Sequence, residues 1–169
     1  MRKLLIIATG ALVLAASAAP ALAVTPAYFD VTGGALSISA PSGSNVELGT
    51  QLASNSASVL SGHLGVVTVS DTRGGATTWT ASVISSAFTP AAGPAVPGAS
   101  ITYDAGTITT LGPIVPVGGV FSNLTGVVPV VTGTSTGPSS ANWNPLISIA
   151  IPANLQPGHY TATITHSVA

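Results

Sequence analysis

Hydrophobic and polar residues alternate one by one along several short stretches of this chain. In LISIAI, residues 146–151, the isoleucines occupy every second position, and in HYTATITHS, residues 159–167, threonines alternate with Tyr160, Ala162 and Ile164. A period of two residues is typical of a strand with one buried and one solvated face. The same pattern predicts further strands at 34–40, 45–52, 63–70, 77–84, 99–104 and 107–111.

Helical patterns are nearly missing from the sequence. The chain has 19 glycines and 13 prolines, and no stretch beyond residue 23 keeps apolar residues at helical spacing without a breaker. The best helical candidate, QLASNSASVL at 51–60, is interpreted as a loop or strand. Short strands, Gly/Pro turns and no crossover helices predict an all-β fold, an antiparallel Greek-key or immunoglobulin-like β-sandwich with long Pro/Gly-rich loops.

The segment 112–145 departs from this regular alternation. It contains five prolines, at 113, 116, 129, 138 and 145. Because proline has no N–H to donate to a ladder, it is confined to edge strands and bulges. We therefore expect an elaborated edge made of long loops and short strand pieces. Two interpretations remain open: the loops carry a functional surface, or they are an insertion that tolerates sequence change.

Residues 1–23 have the pattern of a secretory signal peptide. Arg2 and Lys3 precede the apolar run LLIIATGALVLAA, and a terminal Ala-Leu-Ala predicts cleavage after Ala23. An uncleaved anchor is the alternative, but the run is shorter than the roughly 20 apolar residues that cross a bilayer. The predicted mature chain is a single secreted, extracellular domain, residues 24–169, that has no membrane contact after cleavage.

The composition excludes several classes of partner. Only 4% of residues are charged, and beyond residue 23 one arginine faces four acidic residues, a net charge of −3. Such a chain lacks the Lys and Arg that neutralise phosphates, so we expect no nucleic-acid binding. Cysteine is absent, which excludes disulfides, thiol nucleophiles and thiolate metal ligands. Polarity comes instead from 21 threonines and 20 serines.

Candidate groups for catalysis or metal binding form no recognisable motif. His63, His159, His166, Asp71 and Asp104 accompany many serines, but nothing matches the G-x-S-x-G elbow of hydrolases or the HExxH of zinc proteases. Two histidines seven residues apart in one strand face opposite ways, so His159 and His166 are not expected to share a site. We predict no catalytic residue, no metal ligand and no cofactor.

The stretch VTVSDTRGGATTWTASV, residues 67–83, carries the one arginine beyond the signal peptide. Two strands separated by two glycines predict a β-hairpin, with Asp71 and Arg73 at its tip and Gly74 and Gly75 in the turn. There Asp71 caps turn amides or pairs with Arg73. A surface contact by the arginine is the alternative.

A second structural signal lies near the end of the chain. In IPANLQPGHYTATITHSV, a Pro-Gly turn is followed by Tyr160 at the start of a strand. This order is similar to the tyrosine corner of immunoglobulin-like sandwiches, whose hydroxyl binds a nearby backbone group. Tyr160 is therefore predicted to be a structural corner residue.

Two parts of the chain together resemble a known family. LGVVTVSDTRGGATTWTASV and NWNPLISIAIPANLQPGHYTATITHSVA, with the signal peptide, resemble secreted actinobacterial proteins related to the WxL surface-domain group. The resemblance covers residues 60–84 and 142–169. It implies a β-sandwich outside the cell that binds peptidoglycan non-covalently and acts with other surface proteins. The matching contacts are Trp79 and Trp143, although Trp79 is followed by Thr-Ala where the family has W-x-L.

The expected function is therefore non-covalent association with the cell surface, most of all the cell wall, by a secreted, non-catalytic β-sandwich. Aromatic faces such as Trp79, together with Thr and Ser hydroxyls, would meet sugar rings or another protein; the alternative for Trp79 is a core anchor. A structural subunit of an extracellular fibre or spore-type coat is the second candidate. It needs a free extension of alternating apolar residues, which residues 24–34 match only in part. A secreted hydrolase is the least favoured.

Overall fold

The computed structural model describes residues 25–42 and 46–169. The predicted signal peptide, with its cleavage position, lies outside the described residues. The chain divides into two compact units, Met1–Val31 and Thr32–Ala169. In the first unit, the described residues 25–31 are exposed and have no regular secondary structure. All of the strands described below belong to the second unit.

Strands form nearly all of the regular structure in the described part of the chain. Numbered along the chain, they are β1 (Leu36–Ser39), β2 (Ser58–His63), β3 (Val67–Asp71), β4 (Thr77–Ser85), β5 (Ile101–Asp104), β6 (Ile108–Leu111), β7 (Ile114–Gly118), β8 (Val120–Ser122), β9 (Val128–Ser135), β10 (Ser139–Trp143), β11 (Leu146–Ile151) and β12 (Ile164–Val168). One turn of 3₁₀ helix spans Gly98–Ser100. No helix in this part of the chain has the length and hydrophobicity needed to span a membrane.

The strands pair in three antiparallel sheets of four. Sheet A has the order β1-β3-β10-β6, sheet B the order β2-β11-β5-β8, and sheet C the order β12-β4-β9-β7. Every pairing between them is antiparallel. The chain is therefore an all-β antiparallel sandwich, as its alternating pattern predicts.

Sheets A and B form successive halves of one layer. Three chain segments cross from one sheet to the other through short breaks at 64–66, 105–107 and 144–145. Across two of these breaks, the Leu64 N–H donates to the carbonyl of Pro145 at 3.1 Å. Sheet C forms the opposite layer, where β12 contacts β1 and β7 contacts β6.

Alternate residues of most strands point into the core between the layers. Trp79, Ala81 and Val83 of β4 are buried, as are Ile147 and Ile149 of β11. These faces confirm the two-residue periods of the sequence. Because burying apolar surface provides about 25 cal/mol per Å², this shared core is the main stabilising element of a chain without disulfides.

Seven of the eight predicted strands overlap a strand of the structure, and the eighth is wrong. Residues 46–52 have no strand, although Val46, Leu48 and Leu52 alternate with polar residues. Leu48 crosses the inner face of β2 instead, against Gly62, where a Cβ would overlap its backbone. The segment thus packs Leu48 against the core without joining a ladder, while Val46 and Leu52 are exposed.

The predicted loop region 112–145 is also corrected by the structure. It contains β7, β8, β9 and β10, of which β9 and β10 are central strands. Pro116 lies in β7, an edge strand, and Pro129 lies where the pairing of β9 with β4 shifts by one residue. At both positions the missing proline N–H interrupts no regular ladder, because edges and bulges leave it free.

The predicted hairpin over residues 67–83 is wrong as well. β3 pairs with β1 and β10 in sheet A, whereas β4 pairs with β12 and β9 in sheet C. The turn between them therefore crosses from one layer of the sandwich to the other. Gly74 and Gly75 have φ of 77° and 72°, the left-handed region that glycine adopts without a steric penalty.

Candidate functional site

Both tryptophans lie inside the sandwich. Trp79 and Trp143 are each only 2% exposed, because each occupies an inward position of its strand. Trp79 packs against Gly133, its direct partner on β9, where an added Cβ would overlap the indole. This corrects the expectation that their aromatic faces meet a ligand. Both residues are core anchors.

Trp143 begins a buried chain of hydrogen bonds. Its Nε1–H donates to the Tyr103 hydroxyl at 2.8 Å, and that hydroxyl is 3.2 Å from His166 Nε2. Because an indole N–H only donates, the phenol oxygen accepts the hydrogen bond from Trp143. The chain joins β10, β5 and β12, and so ties the two layers together.

The surroundings shift the titration of both polar members of this chain. Burial raises the pKa of Tyr103 to about 12, against which the hydrogen bond from Trp143 works. Burial also lowers the pKa of His166 below its ordinary value of 6.5. Both shifts favour the uncharged forms, because desolvation penalises charge. Tyr103 is fully buried, so the arrangement supports the fold rather than contacting a substrate.

A second polar cluster closes the turn between β3 and β4. Asp71 is 1% exposed, and its carboxylate accepts four hydrogen bonds: the backbone N–H, Nε and Nη2 of Arg73 at 3.1, 2.9 and 2.9 Å, and the Thr77 hydroxyl at 2.7 Å. The Ser135 hydroxyl lies 2.8 Å from the Thr77 hydroxyl and extends the cluster to β9. Since the Thr77 proton goes to Asp71, Ser135 donates to Thr77.

Asp71 and Arg73 stabilise each other in their charged forms. The hydrogen bond from Arg73 is the largest cause that lowers the pKa of Asp71, with burial acting against it and Thr77 adding to it. The same bond raises the pKa of Arg73, whose Nη2 also donates to the carbonyl of Thr78 at 2.9 Å. Asp71 and Arg73 therefore lock a turn between layers, and the carboxylate has no free face for a substrate.

Tyr160 has the geometry of a corner residue. Its hydroxyl donates to the carbonyl of Gln156, four residues upstream, at 2.9 Å. The ring packs against the core, while the threonines at 161, 163 and 165 are exposed. The hydroxyl thus ties down the loop that precedes β12.

The histidines are dispersed rather than gathered. His63 Nδ1 lies 3.2 Å from the carbonyl of Asn144, His159 is exposed, and His166 binds Tyr103. Within residues 25–42 and 46–169, no histidine side chain is hydrogen-bonded to a serine or aspartate side chain. The same residues contain no group of three His, Asp or Glu that could hold a metal ion.

The outer face of sheet C presents a regular array of threonines. Thr80 pairs directly with Thr132, and Thr78 pairs with Thr134, so the four side chains form two adjacent rows. Three are exposed and Thr80 is half-buried. Sheet geometry separates their Cα atoms by roughly 6.7 Å along each strand and about 4.8 Å between strands. We call these four residues the threonine face.

Apolar side chains extend the threonine face to the edge of the sheet. Val117 pairs with Thr132 and Val115 with Thr134, and both valines are exposed, at 64% and 69%. None of the four strands of sheet C contains Asp, Glu, Lys or Arg. These strands therefore offer hydroxyls and methyl groups in fixed positions without charged side chains, and the guanidinium of Arg73, paired with Asp71, lies at the carbonyl of Thr78. The repeated T-x-T at 78–80 and 132–134 signals it, but only once β9 is known to be a strand.

Comparisons of the chain with protein families, with curated proteins and with solved structures find no match. The function is therefore inferred from the sequence and the geometry of the chain itself.

Proposed function

We propose that this protein is a secreted, non-catalytic β-sandwich that binds the glycan of the cell wall non-covalently through the threonine face. One observation carries the proposal. The face is a broad, exposed and uncharged arrangement of hydroxyl and methyl groups on a rigid sheet.

The chemistry of such a face suits a sugar polymer. Each threonine hydroxyl both donates and accepts a hydrogen bond, as sugar hydroxyls do. Its β-branched side chain is restricted at χ1, so little conformational entropy is lost when a ligand orders it. The methyl groups of the threonines and of Val115 and Val117 can pack against the C–H surfaces of sugar rings. The buried indoles take no part in this contact.

The proposed location follows from the signal-peptide pattern and from the resemblance to the WxL group. Both support a place outside the cell, and the resemblance supports peptidoglycan as the ligand. A surface of uncharged hydroxyls suits a glycan better than a nucleic acid, because nucleic-acid binding needs Lys and Arg to neutralise phosphates. Binding through hydroxyls and methyl groups is expected to depend weakly on salt, because screening acts on charges.

Sedimentation with purified peptidoglycan tests the proposal. The double variant Thr132→Val/Thr134→Val removes two hydroxyls and keeps the β-branched shape. Thr109→Val/Thr110→Val is the matched control, because these threonines are exposed on β6 of sheet A. We expect the first variant to lose most of its co-sedimentation, and the control to bind like the unchanged protein in 1 M salt.

Two results would contradict the proposal. Equal loss of binding in both variants would show that the contact lies elsewhere, and release of the unchanged protein by 1 M salt would show that charge carries it. Circular dichroism of each variant confirms that the sheets are retained before binding is compared.

A further inference from the structure

An apolar cleft of about 740 Å³ opens beside β2 in sheet B. Leu60 of β2 and Ile149 of β11 line it together with Phe88, Val96 and Leu155, and the segment 46–54, which includes Glu47, forms part of its wall. This volume falls within the range of ligand-binding clefts in proteins, about 300–1,000 Å³. Water in such a cleft is in contact mainly with apolar side chains, so an apolar occupant would be favoured.

The strand at this cleft has an unused edge. In the described part of the chain, β2 pairs only with β11, and residues 46–53 make no backbone hydrogen bond to it. Its sequence, SVLSGH, contains no Lys, Pro or acidic residue of the kind that protects exposed edges. Such an edge accepts an extended segment of another chain as an added strand, whose alternate side chains enter the neighbouring groove.

The same chain carries a segment of the required kind. In residues 25–31, TPAYFDV, the side chains of Tyr28, Phe29 and Val31 are 92%, 86% and 85% exposed. In an extended strand, Phe29 and Val31 lie on one face, whereas Tyr28 and Asp30 lie on the other. One face of this arm is therefore apolar, and the other carries a phenol and a carboxylate.

We propose that the arm, residues 25–31, of one copy adds as a strand to the free edge of β2 in a second copy, with Phe29 and Val31 over the cleft. This inference does not depend on glycan binding. It makes the protein a subunit of an extracellular assembly in addition to a wall-associated module.

The arm is too short to reach the cleft of its own copy, so the cleft of a second copy is favoured. The Gly34 N–H is bound to the carbonyl of Thr72, next to the end of β3 that is farther from β2. Phe29, five residues away, can reach at most about 17 Å from Gly34. The path from Gly34 to Leu60 runs along all of β3, the 64–66 break and half of β2. At the rise per residue of a strand, this path is longer than about 30 Å.

The arm and the β2 edge are different surfaces of the chain, and this limits the form that the assembly can take. The contact joins different surfaces of the two copies, so it is heterologous. Such a contact leaves one free arm and one free cleft on every dimer. Heterologous contacts produce a ring when the rotation between copies closes and an open filament when it does not. Assembly beyond the dimer is therefore expected in either case.

Sedimentation velocity over a hundredfold range of concentration tests the assembly, using the chain as purified from its host. We expect a series of increasing mass for the unchanged protein and loss of that series in Phe29→Ser/Val31→Ser. The matched control, Tyr28→Ser/Asp30→Ser, changes the other face and should assemble as before. A monomer at every concentration, or equal behaviour of both variants, would overturn the proposal.

Cysteine trapping tests the register, since the natural chain has no cysteine. Val59 of β2 is 62% exposed and points away from the cleft, as Asp30 of an added arm would. Copies with Asp30→Cys mixed with copies with Val59→Cys should form a disulfide-linked dimer on oxidation, whereas Val115→Cys on β7 should not substitute for Val59→Cys. A disulfide formed within single dilute copies that carry both cysteines would refute the exchange.

Discussion

Replacing Tyr103 with phenylalanine removes one oxygen atom from the centre of the sandwich and keeps the shape of the ring. The Tyr103 side chain is 0% exposed, and its hydroxyl is the shared partner of Trp143 Nε1 at 2.8 Å and His166 Nε2 at 3.2 Å. Among the residues that the structure describes, the Trp143 indole has no other hydrogen-bond partner. The variant therefore leaves a buried donor without an acceptor.

The size of the effect follows from that unsatisfied donor. A buried polar group that loses its partner costs about 1–3 kcal/mol of the free energy of unfolding. For a domain of this length, each kcal/mol lowers Tm by about 2–4 °C. We expect Tyr103→Phe to lower stability by about 1–3 kcal/mol, without any change in the apolar volume of the core.

Urea unfolding followed by tryptophan fluorescence measures this change. The matched control is Tyr160→Phe, which removes a hydroxyl that donates to the carbonyl of Gln156. Gln156 is exposed, so water can replace the lost donor and the cost should stay below about 1 kcal/mol. A Tyr103→Phe variant as stable as the unchanged protein, or less damaging than the control, would refute the assigned roles of Trp143 and His166.

Three further changes have definite expected outcomes. Because burial lowers the pKa of His166, the unfolded chain binds its proton more readily, so urea unfolding should show stability falling as pH drops below 6.5. Asp71→Asn should lower the urea midpoint and weaken acid sensitivity below pH 3.8, where the unfolded chain protonates Asp71 while Arg73 keeps the pKa of the folded carboxyl lowered. Gly133→Ala, which overlaps the Trp79 indole, should cost about 1–3 kcal/mol in calorimetry; unchanged values would contradict each one.

The face that each strand buries could be predicted from the sequence. Trp79 and Val83 of β4, and Ile147 and Ile149 of β11, are inward because alternation in a strand depends only on position. The same rule places Asp71 inside, at the end of the buried row of β3. The position of Asp71 in the alternation therefore already indicates that its carboxylate is buried and must be paired within the fold.

The central strands β9 and β10 could not be predicted in this way. Pro129 and Gly133 are residues that weaken a strand in isolation. Pro129 is tolerated because β9 shifts register there, and Gly133 is required because Trp79 of β4 covers it. Both reasons come from a strand about 50 residues away, so a local pattern does not contain them. The threonine face was missed for the same cause, since half of it lies on β9.

The turn at Gly74 and Gly75 shows a different limit. Two alternating strands joined by a glycine pair are expected in a hairpin, yet they also suit a crossing between layers. The crossing is distinguished by the buried contacts that it makes: Asp71 at the end of β3 binds Thr77 at the start of β4, and Thr77 binds Ser135 of β9. Those bonds join three strands, and only the assembled sheets bring them together.

The few charges of the chain explain why its surfaces can serve both proposed contacts. Arg73 and Asp71 are paired with each other at a turn, which leaves three other acidic residues beyond the predicted signal peptide. Neither sheet C nor β2 contains a charged side chain whose loss of water would oppose contact with an uncharged polymer or a second copy. The threonine face and the free edge of β2 belong to opposite layers of the sandwich. A copy bound to the wall through sheet C would therefore keep its β2 edge open to the arm of the next copy.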